Sequence, residues 1–414
     1  MTTLTREHFA ELDRQDPLAG FREQFDLPPG HIYLNGNSLG VLPKAAKARA
    51  REVVEQEWGQ GLIRSWNSAD WIHIPRRVGD KIAGLIGAAA GEVVVADSTS
   101  VNLFKLAAAA VELRPGRSKI LSEPGNFPTD LYILQGLERF QHGRVRLNTV
   151  HRNEILDAID EDTALVVLTH VHYKSGAMFD MAAITQRAHD KGALVLWDLS
   201  HSTGAVPLAL NRVGADFAIG CGYKYLNGGP GAPGFLFVAE RHQAQLQQPL
   251  SGWFGHADSF AMRDDYEPAP GIERTLCGTT PVVGASLLEV GVDIMVSADM
   301  EQVRTKSLQM GELFIALVEQ RLGPYGFGLV SSKDPAVRGS QVSLRHEQEG
   351  FAIMQALIAR NIIGDFRAPD ILRFGFTPLY LRYVDLWDCV DALADIMATA
   401  EWDRPEFKRL TAVT

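Results

Sequence analysis

The chain has 414 residues and is acidic: 40 Lys and Arg against 50 Asp and Glu give a formal net charge of −10. That balance excludes a general attraction to nucleic acid or anionic membrane, and leaves room for a basic pocket around one small anion. The length suits a large core and two domains, while three scattered cysteines without a CxxC (Cys221, Cys277, Cys389) point to a reducing compartment and no structural metal.

From the start, MTTLTREHFAELDRQD mixes charges and has no apolar segment, so no secretory signal is expected there. No apolar run approaches a membrane span, and a soluble cytoplasmic protein is expected. A short acidic helix and a turn at LPPG precede HIYLNGNSLG (residues 31–40), which reads as a strand end breaking into a Gly/Asn loop. Pro43 suits the first turn of a helix running to Trp58. GLIRSWNSADW reads as a loop.

From about Ile82 strands and helices alternate. GEVVVADSTSVNLFKLAAAAVEL, TALVVLTHVHY, GALVLWDLSHSTG and GADFAIGCGYK each place polar residues after an apolar run, with the helical DMAAITQRAHDKG between the second and third. Continuous apolar strands separated by helices predict a largely parallel α/β sheet covered on both faces. GFLFVAE follows the lysine loop too soon for a crossover helix and is predicted to be an antiparallel neighbour. A helical region follows through about residue 320, then an α+β remainder whose last helix repeats Tyr383, Trp387, Val390, Ala394 and Met397 at three- and four-residue steps.

Ligands of such sheets bind at the carboxyl ends of the strands. Asp198 closes one apolar run and Lys224 follows the next, ahead of the turn Asn227-Gly228-Gly229-Pro230-Gly231. If those strands are neighbours, an amine and a carboxylate flank one crevice. Pyridoxal phosphate needs that pair: the lysine holds its aldehyde as a Schiff base and the carboxylate keeps its pyridine nitrogen protonated. A partly buried Asp–Lys salt bridge explains the same residues equally well. Ser98, Thr99 and Ser100 open a helix where an anion is favoured, although simple N-capping needs only one of them. Phe127, in NFPTD, is a stacking face or ordinary packing, and Asp130 beside it is a cap or a ligand group. Arg373 stands opposite the apolar Leu372, Phe374 and Phe376 on its strand, so its guanidinium is placed for a carboxylate or an interdomain salt bridge. His31, His73, His172 and His256 are further pocket candidates, each also explicable as structural.

The motifs YLNGNSLG, LIRSWN, NFPTDLY, WDLSHSTGAVP, GCGYKYLNGGPG, SGWFGH and RFGFTPLY, in this order from about Ile32 to the last helix, resemble the kynureninase family, its bacterial form above all. These are fold-type I pyridoxal phosphate enzymes of the aspartate aminotransferase superfamily. The resemblance implies a mostly parallel seven-stranded sheet sandwiched by helices, with a smaller α+β domain. It divides the chain into an N-terminal segment belonging to the small domain (1–60), a large cofactor-binding domain (61–305) and a C-terminal small domain (306–414). It implies hydrolytic β,γ-cleavage of L-kynurenine to anthranilate and L-alanine, with weaker use of the 3-hydroxy substrate.

For the site, the resemblance implies pyridoxal 5'-phosphate carried on Lys224, with Asp198 on the ring nitrogen and His201 lining the cofactor. Phe127 stacks on the ring, Ser98 and Thr99 hold the phosphate with help from Tyr223, and Asp130 contacts the cofactor region. Tyr223 is also a candidate proton relay. Trp253 and Thr279 reach the cofactor of a partner subunit, which implies a homodimer with composite sites. Arg373 clamps the amino-acid substrate's α-carboxylate, with Asn37 and His172 on the substrate side. Two positions depart from the family pattern: Asn35 replaces an aspartate, and His172 an asparagine. Gly278-Thr279, where enzymes selective for the hydroxylated substrate carry Asn after Ser, favours plain kynurenine. Another enzyme of the superfamily, such as a cysteine desulfurase, and a metal-dependent hydrolase built on His170, His172, Asp198 and His201 are the competing readings.

Overall fold

The computed structural model describes residues 4–409. Near the N-terminus, β1 (Ile32–Tyr33) is only two residues long. The apolar runs then become β2 (Val93–Val95), β3 (Lys119–Ser122), β4 (Arg146–Thr149), β5 (Thr163–Thr169), β6 (Leu194–Asp198), β7 (Phe217–Cys221) and β8 (Gly234–Val238). They form one sheet in the order β2-β8-β7-β6-β5-β3-β4. Pairing is parallel from β7 to β4, and β8 is antiparallel to both of its neighbours, as its short connection requires. Every residue of β5, β6, β7 and β8 is buried, which is why those runs are apolar without alternation.

Helix boundaries follow local chemistry. Ser98 caps the helix Thr99–Glu112 by accepting from the Val101 N–H at 3.4 Å. Pro43 stands immediately before the helix Lys44–Arg51, whose chain continues as a π-helix over Glu52–Gly61. The expected loop at GLIRSWNSADW is instead a series of short helical turns, Leu62–Arg64, Ser65–Ser68 and Trp71–His73. Glu57 is the cause: its carbonyl accepts from Ser65 Oγ and its carboxylate from Trp71 Nε1, both at 2.6 Å. The predicted helical region before residue 320 is two helices, Val282–Ser297 and Met300–Leu322. The break falls where Asp299 caps the second through the Glu301 N–H.

The remaining strands are β9 (Gly328–Leu329), β10 (Gln341–Arg345), β11 (Ile362–Ile363), β12 (Asp365–Arg367) and β13 (Ile371–Gly375). Four make an antiparallel sheet ordered β12-β13-β10-β9, while β11 pairs in parallel with β1. The N-terminal helix Arg6–Arg14 joins this part of the molecule, Phe9 packing on Trp387 and Arg6 pairing with Asp388. The last helix, Tyr383–Ala398, buries a wider face than the expected stripe, adding Leu386, Cys389, Leu393 and Ile396. Among the described residues no helix is long and apolar enough to cross a membrane.

Candidate active site

The register of β6 on β7 sets Asp198 opposite Ile219, so Asp198 and the segment after Cys221 leave the sheet at one edge. The lysine loop is locked from above by the 33–40 loop. The Gly40 N–H donates to the Tyr223 carbonyl at 2.7 Å, and a Cβ on Gly40 would collide with the Lys224 carbonyl. Only glycine permits that approach.

Lys224 is 8 % exposed. Its Nζ lies 2.9 Å from His201 Nε2, 5.7 Å from the centre of the Phe127 ring and 5.9 Å from that of Tyr223. Burial, then the charges of Lys224, Arg373 and Arg367, drive the His201 pKa well below its ordinary value, so the imidazole is neutral. Its Nδ1 is buried without a partner. Burial also pushes the Tyr223 phenol up.

Asp198 Oδ1 accepts from the Ser200 N–H at 2.8 Å, and Oδ2 lies 3.4 Å from Thr169 Oγ1. The same hydroxyl reaches Asp130 Oδ2 at 3.2 Å and Asn126 Oδ1. One hydroxyl carries one proton, so these three acceptors compete for it. Burial, then the Asp198 charge, raise the Asp130 carboxyl well above the usual carboxylate range. Asp130 therefore keeps its proton to higher pH than an ordinary carboxylate, and its Oδ1 has no hydrogen bond. Asn126 and Thr169 escaped the sequence reading, since neither type signals chemistry alone.

Phe127 is the residue before the helix Pro128–Phe140, 37 % exposed, with its ring edge-on to Tyr173 at 5.2 Å. Ser98 and Thr99 stand at the start of Thr99–Glu112, where first-turn amides have no intrahelical acceptor. Arg373, 2 % exposed, points away from its buried apolar neighbours as expected, yet it is already engaged. It holds Asp365 through Nε and Nη2 at 2.9 and 2.6 Å, Ser38 Oγ through Nη2 and the Tyr173 carbonyl through Nη1, both at 2.6 Å. Asp365 sits opposite Arg373 in the β12–β13 register.

Asn37 is fully buried and donates to Gln341 at 3.2 Å, its Oδ1 unpartnered. His172 bonds the Gly125 carbonyl at 2.9 Å through Nε2, and burial lowers its pKa to about 4. His170 turns the other way, onto Ser202 and Trp197, so the two histidines do not converge on an ion. Among the described residues no group of three His, Cys, Asp or Glu side chains is arranged to hold a metal. His31, His73 and His256 bond Pro29, Asp70 and Asp265, away from Lys224. Trp253 packs on Phe254 and Phe260, and Thr279 is exposed; neither is brought to Lys224 within the chain.

Buried polar groups are normally satisfied. Here Asp130, beside Asp198, and His201, beside Lys224, each keep an unpartnered buried atom, Oδ1 and Nδ1, and with the Phe127 face they make a donor and acceptor set that fits pyridoxal phosphate. Fold and site together define the class: a fold-type I pyridoxal phosphate enzyme. Solved structures share the fold. A cysteine desulfurase from Thermococcus onnurineus NA1 superposes with a TM-score of 0.78 at 18% identity, covering 96% of this chain and 100% of that one. The cysteine desulfurase CsdA from Escherichia coli gives 0.76 at 18%, covering 92% and 98%. Sequence comparison goes further. The family description "Kynureninase C-terminal domain" matches residues 303–393. A kynureninase of Burkholderia pseudomallei (strain K96243) is 53% identical over 99% of this chain and 100% of its own length, and one of Pseudomonas fluorescens is 51% identical over the same shares. The chain belongs to the kynureninase family.

Proposed function

We propose that this chain hydrolyses the Cβ–Cγ bond of L-kynurenine, adding water to give anthranilate and L-alanine, with weaker use of the 3-hydroxy substrate. The observation that carries this is 53% identity to a kynureninase along 99% of the chain, with Lys224 and Asp198 at adjoining strand ends. When bound, pyridoxal 5'-phosphate supplies an electron sink at its protonated pyridine ring.

The chain's residues do the rest. Asp198, held by the Ser200 amide, would keep the ring nitrogen protonated, and Asp130, whose carboxyl burial holds well above the usual range, would add no second acceptor of that proton. Lys224 would hold the cofactor and, once substrate takes that place, would be the amine that moves the proton at the substrate's α-carbon. His201 orients that amine at 2.9 Å. Phe127 would face the cofactor ring, Ser98 and Thr99 would hold the phosphate at their helix start, and Tyr223 would serve the phosphate or relay a proton during water addition. Arg373 binds the α-carboxylate, with Asn37 and His172 on the substrate side. The large domain at 61–305 carries the cofactor, and the 1–60 and 306–414 segments form the small domain.

The same reading includes a cytoplasmic homodimer in which Trp253 and Thr279 complete the partner's site. Exposed Trp253, Phe260 and Met262 on one loop, at 37, 63 and 70 %, support a covered surface there. The test is addition of kynurenine to the cofactor-loaded protein: anthranilate fluorescence and equimolar alanine are expected. Sulfide release from cysteine without anthranilate would overturn the assignment. Sedimentation of a monomer at working concentration would overturn the composite site.

A further inference from the structure

Two guanidinium groups and one carboxylate meet beside Tyr173, whose ring stands edge-on to Phe127, and their charges do not cancel. Asp365, 1 % exposed on its side chain, bonds Arg373 through both oxygens, and its Oδ2 also accepts from Arg367 at 2.8 Å. Ser38 Oγ lies within 2.6 Å of Asp365, 2.6 Å of Arg373 and 3.1 Å of Arg367. Two cations against one anion leave one positive charge, set against Arg373 and Asp365 side chains that are 2 and 1% exposed.

Donor counting shows where that charge is available. Of the five N–H donors of Arg373, four are taken by Asp365, Ser38 and the Tyr173 carbonyl. A bidentate grip on a substrate is therefore closed to it unless Asp365 withdraws. Arg367 differs: among the described residues only its Nη2 is engaged, and its side chain is 36% exposed. The other cation of this rim, Lys174, turns its Nζ to the Ala368 carbonyl. Arg373 reaches the Tyr173 carbonyl at 2.6 Å, the Tyr173 ring stands edge-on to Phe127 at 5.2 Å, and Phe127 lies 5.7 Å from Lys224 Nζ; Arg367 shares Ser38 Oγ with Arg373, so both stand on the reacting side of the site.

We propose that Arg367 is a second carboxylate-binding residue: the α-carboxylate of the amino-acid substrate bridges the one free N–H of Arg373 and the open edge of Arg367, while Asp365 is a positioning residue that aims both. The proposal rests on the kynureninase reading and refines it, for it assigns the substrate anion to an arginine pair instead of to Arg373 alone. It also accounts for a residue on β12 that no sequence motif singled out.

The experiment compares two competitive inhibitors of the cofactor-loaded enzyme, a non-cleavable substrate analogue with a free α-carboxylate and its α-carboxamide. Arg367→Gln should raise KM for kynurenine roughly tenfold to hundredfold, the span of hydrogen bonds to a charged group, leaving the cofactor's visible spectrum unchanged. It should weaken the acid inhibitor by the same factor and leave the carboxamide alone. Arg367→Lys keeps the charge and should retain most of the acid preference. Equal weakening of both inhibitors, or an unchanged KM, would overturn the role of Arg367. Absence of any kynurenine cleavage by the unmodified enzyme would instead overturn the parent reading, which separates the two failures. If Arg367→Gln does not fold, an acid preference in Arg367→Lys that matches or falls below that of a charge-neutral Arg367→Met decides against the proposal.

Discussion

The sheet presents a buried carboxylate at each end of the β6–β7 pair, and the two are treated in opposite ways. Asp216, just before β7, is saturated: it accepts from His189, His242, Arg241 and the Val195 N–H at 2.6 to 2.9 Å. Burial alone would raise its carboxyl, but the hydrogen bonds of His189 and His242 outweigh this and hold it well below the usual range. At the other end Asp198 and Asp130 share a single threonine proton, and Asp130 keeps an oxygen with no partner. A fold finishes the electrostatics of a structural carboxylate itself; one it leaves incomplete is waiting for a ligand.

That contrast is open to breaking. The largest effect belongs to the incomplete end. Lys224→Ala should lose about 10⁴-fold or more in turnover with no loss of fold, read by anthranilate release and thermal melting; normal turnover would end the lysine's role. Asp198→Asn should lose about 10²–10³-fold in kcat and loosen the cofactor, seen as visible absorbance lost on dialysis. Asp216→Ala inverts the pattern. It should cost about 3–5 kcal/mol of stability by stranding its buried partners, measured by denaturant midpoint, with kcat unchanged. A catalytic loss without destabilisation at Asp216 would erase the distinction.

The pH dependence sharpens it. Because the folded-state pKa of Asp216 is depressed, its stabilisation is fully present above the unfolded value, about 3.9, and is lost as pH falls toward the folded value. The stability gap between wild type and Asp216→Ala should therefore narrow below about pH 4. A gap that stays constant down to pH 2 would mean that the carboxylate's charge contributes nothing.

Sheet and lysine–aspartate pair were legible because both depend on chain-local pattern: apolar runs ending in polar residues, and parallel strands that all leave the sheet at one edge. On β13 the side that Arg373 takes was legible too, from the apolar Leu372, Phe374 and Phe376 opposite it. What escaped depends on contacts between segments far apart in sequence. Asp365 meets Arg373 only because the β12–β13 register sets them opposite each other, and Ser38 joins them across more than three hundred residues. Thr169 and Asn126 meet beside Asp130 from the end of β5 and the turn after β3, and neither is unusual in its own stretch. The turns that follow Glu52–Gly61 are tied back to it by Glu57, an unremarkable acid until its partners are in place.

The smallest expected change is at Asp130, and it tests the incomplete pair most directly. A carboxyl held neutral beside Asp198 is mimicked by an amide of the same shape, so Asp130→Asn should reduce turnover by less than about tenfold, one net hydrogen bond at most. Stability carries the sharper sign. In the cofactor-free protein the folded state keeps the Asp130 proton while the unfolded chain releases it above about pH 4, so folding binds a proton and wild type loses stability as pH rises. An amide at this position has no such proton to bind or release. The Asp130→Asn variant should therefore gain on wild type between pH 4 and pH 7, seen as a denaturant midpoint difference that grows in its favour. A difference independent of pH would mean that Asp130 is ionised in the folded protein. The site would then hold two negative charges against Lys224, and the single carboxylate assigned to the pyridine nitrogen would have to be shared between both.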